Sequence, residues 1–300
     1  MNLASIDFRD CPISFPGLFG DWQFTASGKL LDVGNGVYWY GVLIAVGLLL
    51  ALWLCSRQAP KYGLSDDNIY DVALSAVPMG IIGARLYYII FYLDQYRTAD
   101  GALDFGKMVR IWDGGLAIYG GVILGFLTAL LYCRRKKISY LALLDCVVMG
   151  VMTGQIIGRW GNFMNREAFG ALTQLPWRMR LFAPDGTFYD VHPTFLYESL
   201  WNAIGLAILY FIVSRHRRFD GENVCFYFLW YGLGRFWIEG LREDSLYLFG
   251  LQLFGRSVRV SQALSLCLVL FAACVLVYRL LIHPADPGNL WVRRKREIPS

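Results

Sequence analysis

The sequence predicts an all-α integral membrane protein with seven transmembrane helices and a small extracytoplasmic loop domain between spans four and five. Hydrophobic residues make up 56% of the 300 residues and charged residues only 17%, whereas soluble domains carry about 25% charge. The apolar residues are gathered into separate segments, each close to the ~20 residues that a helix needs to cross a bilayer. Clusters of basic residues follow the third, fifth and seventh of these segments.

Each of the seven segments contains an apolar stretch long enough to span a membrane. In chain order they cover residues 37–55, 69–93, 114–133, 140–158, 193–214, 224–241 and 261–282. No internal repeat is apparent by eye, which weakens the interpretation of the chain as a transporter built from duplicated halves.

The basic clusters at 134–137, 215–218 and 293–296 predict the orientation. With seven spans, all three lie on one side, and that side should be the cytoplasm. The amino terminus and the loops 94–113, 159–192 and 242–260 are then outside. The predicted parts are an extracytoplasmic segment 1–36, a seven-span catalytic membrane domain 37–282 with 159–192 as a lid, and a basic cytoplasmic tail 283–300.

The run from Gly158 to Gly170 closes the fourth apolar segment with unusual polar chemistry. It combines a guanidinium, two amides, a carboxylate and several glycines: Arg159, Asn162, Asn165, Glu167 and Gly170. A helix that only had to stop would use aromatic residues and one or two charges. The run therefore predicts a site for an anionic headgroup at the membrane edge.

Span six carries Arg235, Glu239 and Arg242 at i, i+4 and i+7, so the three project from one helical face. An internal Arg–Glu pair is compatible with a structural staple. Two arginines around one glutamate leave net positive charge, which suits a phosphate better, and we favour ligand binding.

Span five opens with His192 and Pro193 and places Glu198 inside the membrane. A lone buried glutamate would be protonated or paired, and Asn202 at i+4 or an arginine from another span could hold it. His192 at a helix start is equally consistent with a cap or surface residue and with a base.

Further polar residues lie in the outer halves of the spans. Arg85 lies in span two, Tyr119 between two glycine pairs in span three, and Tyr40 at the outer end of span one. Glycine in a transmembrane helix is usually a packing device, and Tyr40 is also consistent with an interfacial aromatic residue. Since buried charges are costly, we favour a shared functional cavity over structural ion pairing.

Other classes of site are not indicated. The seven cysteines show neither CxxC nor zinc-finger spacing. Six lie in or beside apolar segments and are interpreted as small apolar residues packed between helices, whereas Cys11 lies in the predicted extracytoplasmic segment. No P-loop, HExxH or GxSxG appears, and there is no metal-ligand spacing. The basic residues form separated clusters, which does not suggest nucleic acid.

These motifs together resemble those of the bacterial phosphatidylglycerol–prolipoprotein diacylglyceryl transferase family. The run Gly-Arg-x-x-Asn-Phe-x-Asn-x-Glu-x-x-Gly at 158–170 is that family's signature. The further matches are His-Pro-Thr-x-x-Tyr-Glu at 192–198, Gly-Ala-Arg at 83–85, Gly-Arg-Phe-x-x-Glu-x-x-Arg at 234–242 and Trp-Tyr-Gly at 39–41. The resemblance extends from about Tyr38 to the last span.

The resemblance implies seven transmembrane helices with an outward-facing amino terminus, in agreement with the topology read from the residues. It implies transfer of the diacylglyceryl group of phosphatidylglycerol to the lipobox cysteine thiol of an exported prolipoprotein, with release of glycerol phosphate. The protein would be a multi-pass enzyme of the bacterial cytoplasmic (inner) membrane, with its carboxyl terminus in the cytoplasm. Its partners would be phosphatidylglycerol, membrane lipid and prolipoprotein signal peptides. No metal, organic cofactor or nucleic acid is implied.

That chemistry assigns roles to the motif residues. A free cysteine titrates near pH ~8.5, so its thiol must be activated while the leaving phosphate is stabilised. The catalytic candidates are Tyr119, Arg159, Glu198, Arg235 and Glu239. The substrate- and lipid-binding candidates are Tyr40, Arg85, Asn162, Asn165, Glu167, Gly170, His192 and Arg242. Glu198, Glu239, Tyr119 or the departing phosphate could take the thiol proton, and the sequence leaves that choice open.

One departure from the family concerns Tyr119, because many members carry histidine at that point. A mechanism that needs a histidine base there is in doubt. The rival interpretations are a seven-span anion transporter or channel, a lipid-binding scaffold without chemistry, and another phospholipid-headgroup transferase. The first would move substrate across sealed vesicles without covalent change, and the second would bind phosphatidylglycerol without forming product. The third lacks the expected acid-rich motif.

Overall fold

The computed structural model describes residues 6–20, 22–25, 27–31, 36–98, 101–242, 247–253 and 256–297, and most of them are helical. The helices are α1 Pro16–Phe19, α2 Trp39–Gln58, α3 Asp66–Phe91, α4 Phe105–Val109, α5 Ile118–Lys136, α6 Tyr140–Asn165, α7 Thr194–Ile208, α8 Ser214–His216, α9 Glu222–Leu241, α10 Val260–Val277 and α11 Trp291–Glu297. The strands are β1 Ile13–Ser14, β2 Gln23–Phe24, β3 Lys29–Leu31, β4 Val37–Tyr38, β5 Met179–Phe182, β6 Phe188–Val191, β7 Tyr247–Leu253 and β8 Arg256–Arg259. Parts of the predicted segments 1–36, 242–260 and 283–300 lie outside the described residues.

Among the described residues, six helices are long and apolar enough to cross a membrane. They are Trp39–Tyr62, Asp66–Phe91, Ile118–Lys136, Tyr140–Asn165, Thr194–His216 and Val260–Ile282. The segment predicted as span six does form a helix, α9, of 20 residues. The mean hydropathy of α9 is lowered by Arg235, Glu239 and several glycine and aromatic residues. For this reason α9 is not among the six helices whose length and apolar composition suit a membrane span.

Local sequence explains where several helices begin and end. Ser65 starts α3 with a capping box, because its side chain accepts from the Asn68 amide and the Asn68 side chain accepts from the Ser65 amide. Lys137 ends α5 in the left-handed conformation, with φ of 54°. After Ile208, α7 passes through a π-helical turn, Leu209–Val213, before α8.

The fourth span is longer than predicted, which corrects the start of the lid. Residues 159–165 were expected in the loop, yet α6 continues to Asn165. The chain turns only where Arg166 and Ala168 adopt positive φ values of 52° and 57°. No proline lies within α6. Arg159 and Asn162 are therefore positioned by a helix instead of by a loop.

The chain divides into two compact units. The first contains the described residues up to Leu54 together with Asp145–Leu290. It carries a four-stranded sheet in the order β2-β1-β5-β6, in which Ile13 pairs with Leu181. The amino-terminal segment thus shares one sheet with the loop after α6. A core lies beneath it, formed by Phe8, Ile13, Met179, Leu181, Ala183, Val191 and Phe195.

Two turns predicted in that loop are confirmed. Arg178 donates its amide to the Leu175 carbonyl across the turn at Pro176. The β5–β6 hairpin reverses at Gly186, whose φ is 84°. Glycine is favoured there because the left-handed region costs it nothing.

The second unit contains Cys55–Leu144 and the described part of 291–300. In it, α3 and α5 pack through glycines. A Cβ atom added to Gly83 would lie 2.5 Å from the Gly120 carbonyl oxygen, and one added to Gly120 would lie 2.2 Å from that of Gly83. The packing interpretation of the glycines beside Tyr119 is confirmed at this contact.

Candidate active site

An ion-pair cluster centred on Glu198 is the main polar feature of the first unit. Glu198 lies on the second turn of α7 with 4% of its side chain exposed. Arg235 of α9 donates from Nη1 to Glu198 Oε1 over 2.9 Å, and Arg159 of α6 contacts Glu198 Oε2. A second carboxylate, Glu239, lies 2.6 Å from Arg235 Nη2. Three helices thus bring two guanidinium groups and two carboxylates together.

The partner of Glu198 is now defined. Asn202 is also buried, but Glu198 pairs with Arg159 and Arg235, which the sequence had left as one of two alternatives. Arg235 and Glu239 share one face of α9, as their i, i+4 spacing predicted, and they form the internal Arg–Glu pair that the sequence analysis ranked below ligand binding. The cluster has no net charge when all four groups are ionised.

The exposure of the four side chains is uneven. Arg159 and Arg235 are 21% and 17% exposed, whereas Glu198 and Glu239 are 4% and 3% exposed. Glu198 Oε2 and Glu239 Oε2 also lack an aligned hydrogen bond among the described residues, although each makes an ion-pair contact. An anion that approaches the cluster would therefore meet the guanidinium groups first.

The signature run extends this cluster by hydrogen bonds. Arg159 Nη1 donates to Asn162 Oδ1 over 3.3 Å, and Asn162 Nδ2 donates to Glu167 Oε1 over 2.9 Å. Asn165 Nδ2 reaches the same oxygen over 3.4 Å. Because Arg159 and Asn162 are one helical turn apart on α6, their side chains lie on one face. Four of the predicted residues therefore form one connected network with Glu198.

The end of the signature run is held between two other site segments. Gly170 donates its amide to the His192 carbonyl over 3.0 Å and forms a β-bridge with Arg242. A Cβ atom on Gly170 would lie 2.7 Å from His192 Cβ and 3.0 Å from the Leu241 carbonyl oxygen. Only glycine fits this close approach of three backbones.

The side chain of His192 points to an aromatic neighbour. Its Nδ1 lies 3.2 Å from the Tyr197 hydroxyl, which also accepts from Trp177 Nε1 over 2.8 Å. Burial lowers the pKa of His192 below its usual value. Within the described residues, the structure brings the backbone of His192 to Gly170 but its ring to Tyr197.

Tyr40 also belongs to the first unit and packs on the signature run. A Cβ atom added to Gly161 would lie 2.6 Å from Tyr40 Cδ2 and 2.9 Å from Cε2, so this edge of the tyrosine ring packs against that glycine. The structure thus places Tyr40 beside the helical turn that carries Arg159 and Asn162.

Arg85 and Tyr119 are found in the second unit. Arg85 is 6% exposed, and its five N–H donors make five hydrogen bonds to backbone carbonyls. The acceptors are Met108, Gly114, Gly115, Lys107 and Arg110, at 2.5–3.0 Å. Tyr119 lies on the first turn of α5, 43% exposed, with its ring 6.4 Å from that of Tyr87.

Arg259 is a residue that the sequence reasoning missed. Its Nη1 donates to the carbonyls of Glu239 and Arg242, the latter over 2.9 Å. A guanidinium at the carboxyl end of α9 satisfies carbonyls that have no partner within the helix. No sequence spacing links Arg259 to α9, so only the three-dimensional structure reveals this contact.

Comparison with known proteins adds an independent finding. The sequence model of the family described as prolipoprotein diacylglyceryl transferase matches residues 29–278. The chain is 44% identical over 259 residues to the phosphatidylglycerol–prolipoprotein diacylglyceryl transferase of Listeria monocytogenes, covering 83% of this chain and 88% of that one. It is 41% identical to the enzymes of the same name from Lactiplantibacillus plantarum, over 85% of this chain and 88% of that one, and Lactobacillus acidophilus, over 81% and 86%.

The match includes the signature run, the Glu198 helix and the helix with Arg235 and Glu239, which the structure joins in one network. The family match and the relatives together show that this chain belongs to the prolipoprotein diacylglyceryl transferase family.

Proposed function

We propose that this protein transfers the diacylglyceryl group of phosphatidylglycerol to the lipobox cysteine thiol of prolipoproteins, the first step of lipoprotein maturation. The observation that supports this most directly is the Glu198 carboxylate held between Arg159 and Arg235. Because these two guanidinium groups bind the two oxygens of one carboxylate, their spacing also suits the oxygens of a phosphate group. The name shared by the relatives supplies the two substrates.

The reaction is an alkyl transfer. The cysteine sulfur forms a bond to the glyceryl carbon that carries the phosphate ester, and the carbon–oxygen bond to the phosphate breaks. The bonding electrons leave with glycerol phosphate, so negative charge grows on that oxygen. Arg159 and Arg235 stabilise it, with Arg242 behind them and Asn162 orienting Arg159.

The carboxylates have a different role in this proposal. Glu198 holds the guanidinium groups of Arg159 and Arg235 at a fixed spacing. Glu239 contacts Nη2 of Arg235 and so fixes the orientation of that side chain. Within the first unit, the thiol proton passes to Glu198, to Glu239 or to the departing phosphate.

The remaining site residues take supporting roles. Tyr40, Asn165, Glu167, Gly170 and His192 shape the binding region around the signature run. For Arg85 we propose an indirect role, since its N–H donors already bind backbone carbonyls: it holds the loop that leads into α5 and Tyr119.

The proposal includes seven spans in the bacterial cytoplasmic membrane. The charges of α9 are paired with each other and with Glu198, which removes much of the cost of placing this helix in lipid. Its 20 residues extend over about 30 Å, the thickness of the hydrocarbon core. The amino terminus and the β5–β6 hairpin then lie outside, with the basic tail in the cytoplasm.

The deciding experiment incubates the purified protein with phosphatidylglycerol micelles and a lipobox peptide, and follows the peptide by mass spectrometry. We expect a mass gain of one diacylglyceryl group, absent when the peptide cysteine is replaced by serine. Arg159→Ala should lower turnover by about 10²–10³-fold, since one donor to the leaving group is lost. Arg134→Ala, an exposed arginine at the end of α5, is the matched control. Full turnover by folded Arg159→Ala would overturn the mechanism, and an unmodified peptide would overturn the function.

A further inference from the structure

A cavity of about 430 Å³ lies between the amino-terminal segment and the signature run. Its walls are residues 6–9, Tyr38 and residues 165–169, all in the first unit. Residues 6–9 precede α2 and residues 166–169 follow α6, so most of the wall lies beyond the ends of the spanning helices. No motif in the sequence indicates that residues 6–9 contribute to a site.

The charges of the wall do not suit a phosphate. Arg9 is paired with Asp7, with Nη2 and Oδ2 2.7 Å apart, and this pairing lowers the pKa of Asp7 to about 2. The buried Arg166 donates from Nε to the Cys11 carbonyl over 3.0 Å and from Nη1 to the Met164 carbonyl. Both guanidinium groups thus have partners, while Glu167 adds a carboxylate. The four charged side chains of the wall, Asp7, Arg9, Arg166 and Glu167, sum to zero, so the wall offers no excess positive charge to an anionic headgroup.

The remaining groups suit a neutral, extended chain. Phe8 is buried in the core and supports Phe169 edge to face at 5.5 Å, whereas Phe169 is partly exposed and Tyr38 is 48% exposed, so these two rings offer apolar surface. A carboxylate has about four acceptor positions, and the two amides that reach Glu167 both bind Oε1. Among the described contacts, Oε2 keeps capacity for a backbone N–H donor.

The cavity is also coupled to the reactive cluster. Glu167 in its wall accepts from Asn162, Asn162 accepts from Arg159, and Arg159 pairs with Glu198. A chain bound against Glu167 would be connected through these contacts to the guanidinium groups that face the phosphate.

We infer that this cavity binds the polypeptide segment beside the reactive cysteine of the prolipoprotein, as a subsite separate from the lipid phosphate site. The inference rests on the proposed function, whose second substrate is a peptide. It assigns the amino-terminal residues 6–9 a share in substrate binding.

Site-specific photocrosslinking tests this inference without turnover. The photoreactive residue benzoylphenylalanine replaces Tyr38, and the full-length protein is illuminated with an unreactive lipobox peptide whose cysteine is serine. The control carries benzoylphenylalanine at Phe188, an equally exposed aromatic residue in β6 at 52%. We expect a peptide adduct at position 38 that exceeds the one at 188 by tenfold or more. A lipid adduct at 38, or equal adducts at both positions, would overturn the inference.

Steady-state kinetics provides a second readout. Glu167→Gln keeps the shape and Oε1 but removes the charge, so the KM for the peptide should rise about tenfold, as expected when a charge-assisted hydrogen bond is lost. The KM for phosphatidylglycerol should rise less than the KM for the peptide, because Glu167 reaches the phosphate-facing Arg159 only through Asn162. A rise in the lipid KM alone would refute the peptide subsite. Peptide crosslinking at 38 without turnover by the unmodified protein would instead refute the proposed function and leave the subsite standing.

Discussion

Trp201 and Trp230 each donate their indole N–H to the main-chain carbonyl of the other. Trp201 Nε1 lies 2.9 Å from the Trp230 oxygen, Trp230 Nε1 lies 2.8 Å from the Trp201 oxygen, and the rings stack at 4.6 Å. Each ring also covers a glycine four residues beyond the partner tryptophan, Gly234 on α9 and Gly205 on α7. This reciprocal contact sets the register of the two antiparallel helices, and in that register Glu198 meets Arg235.

Gly234→Ala should disturb this register. Its new Cβ atom would lie 2.3 Å from Trp201 Cδ1 and Nε1, so the indole must move. Overpacking of this kind costs about 1–3 kcal/mol. We expect a lower unfolding temperature together with a loss of turnover, because Arg235 follows Gly234 directly. Gly154→Ala on α6 is the control, since a Cβ atom there meets no atom within 4 Å. Equal activity of the two variants would refute the role of the tryptophan pair.

Glu198→Gln separates charge from shape at the centre of the cluster. The glutamine keeps contacts with Arg159 and Arg235 but leaves the cluster with an excess positive charge. The kcat should fall by about 10²–10³-fold, as for other preorganised charges, while the KM for phosphatidylglycerol stays equal or falls. Initial rates measured against lipid concentration distinguish the two constants. An unchanged kcat with a raised lipid KM would show that Glu198 only contributes to binding.

Arg85→Lys should loosen the loop between α4 and α5. Lysine has three donors where arginine has five, so at least two of the carbonyls bound by Arg85 lose their partner. A buried carbonyl without a partner costs about 1–3 kcal/mol. We expect faster hydrogen exchange in residues 107–115 and a lower unfolding temperature. Arg97→Lys makes the same change at a half-exposed side chain and should leave both unchanged. Identical exchange in the two variants would contradict the proposed holding role.

Asp190 should make the β5–β6 hairpin sensitive to acid. Hydrogen bonds from Arg180 and Arg178 lower the pKa of Asp190 below its usual value. A lowered folded-state pKa gives stability that is present above the unfolded-state value of about 3.9 and is lost as the pH falls through the folded-state value. The stability difference between the unmodified protein and Asp190→Asn should therefore be constant near neutral pH and shrink below about pH 4. Thermal unfolding of both proteins across this range measures it, and a difference that grows in acid would contradict the assignment.

Much of the helical framework was predictable because apolar length alone specifies a spanning helix. The six helices that are long and apolar enough to cross a membrane agree with six predicted segments to within four residues, except at the ends of the first and fourth, which lie seven residues later. The sixth predicted segment, 224–241, forms α9. Contacts at helical spacing were also predictable, as for Arg235 and Glu239, since residues four apart share a face. The end of α6 was misplaced by seven residues because polar residues were interpreted as the start of a loop.

Sequence alone therefore determined which chemical groups are present and which of them share a helical face, because both are properties of short stretches of chain. Only the tertiary structure decided which helices meet. It selected Arg159 and Arg235 as the partners of Glu198, directed the donors of Arg85 to backbone carbonyls, and joined β1 to β5. Such contacts join residues far apart in the chain, and they depend on how side chains such as Trp201 and Trp230 pack against glycines of the opposite helix.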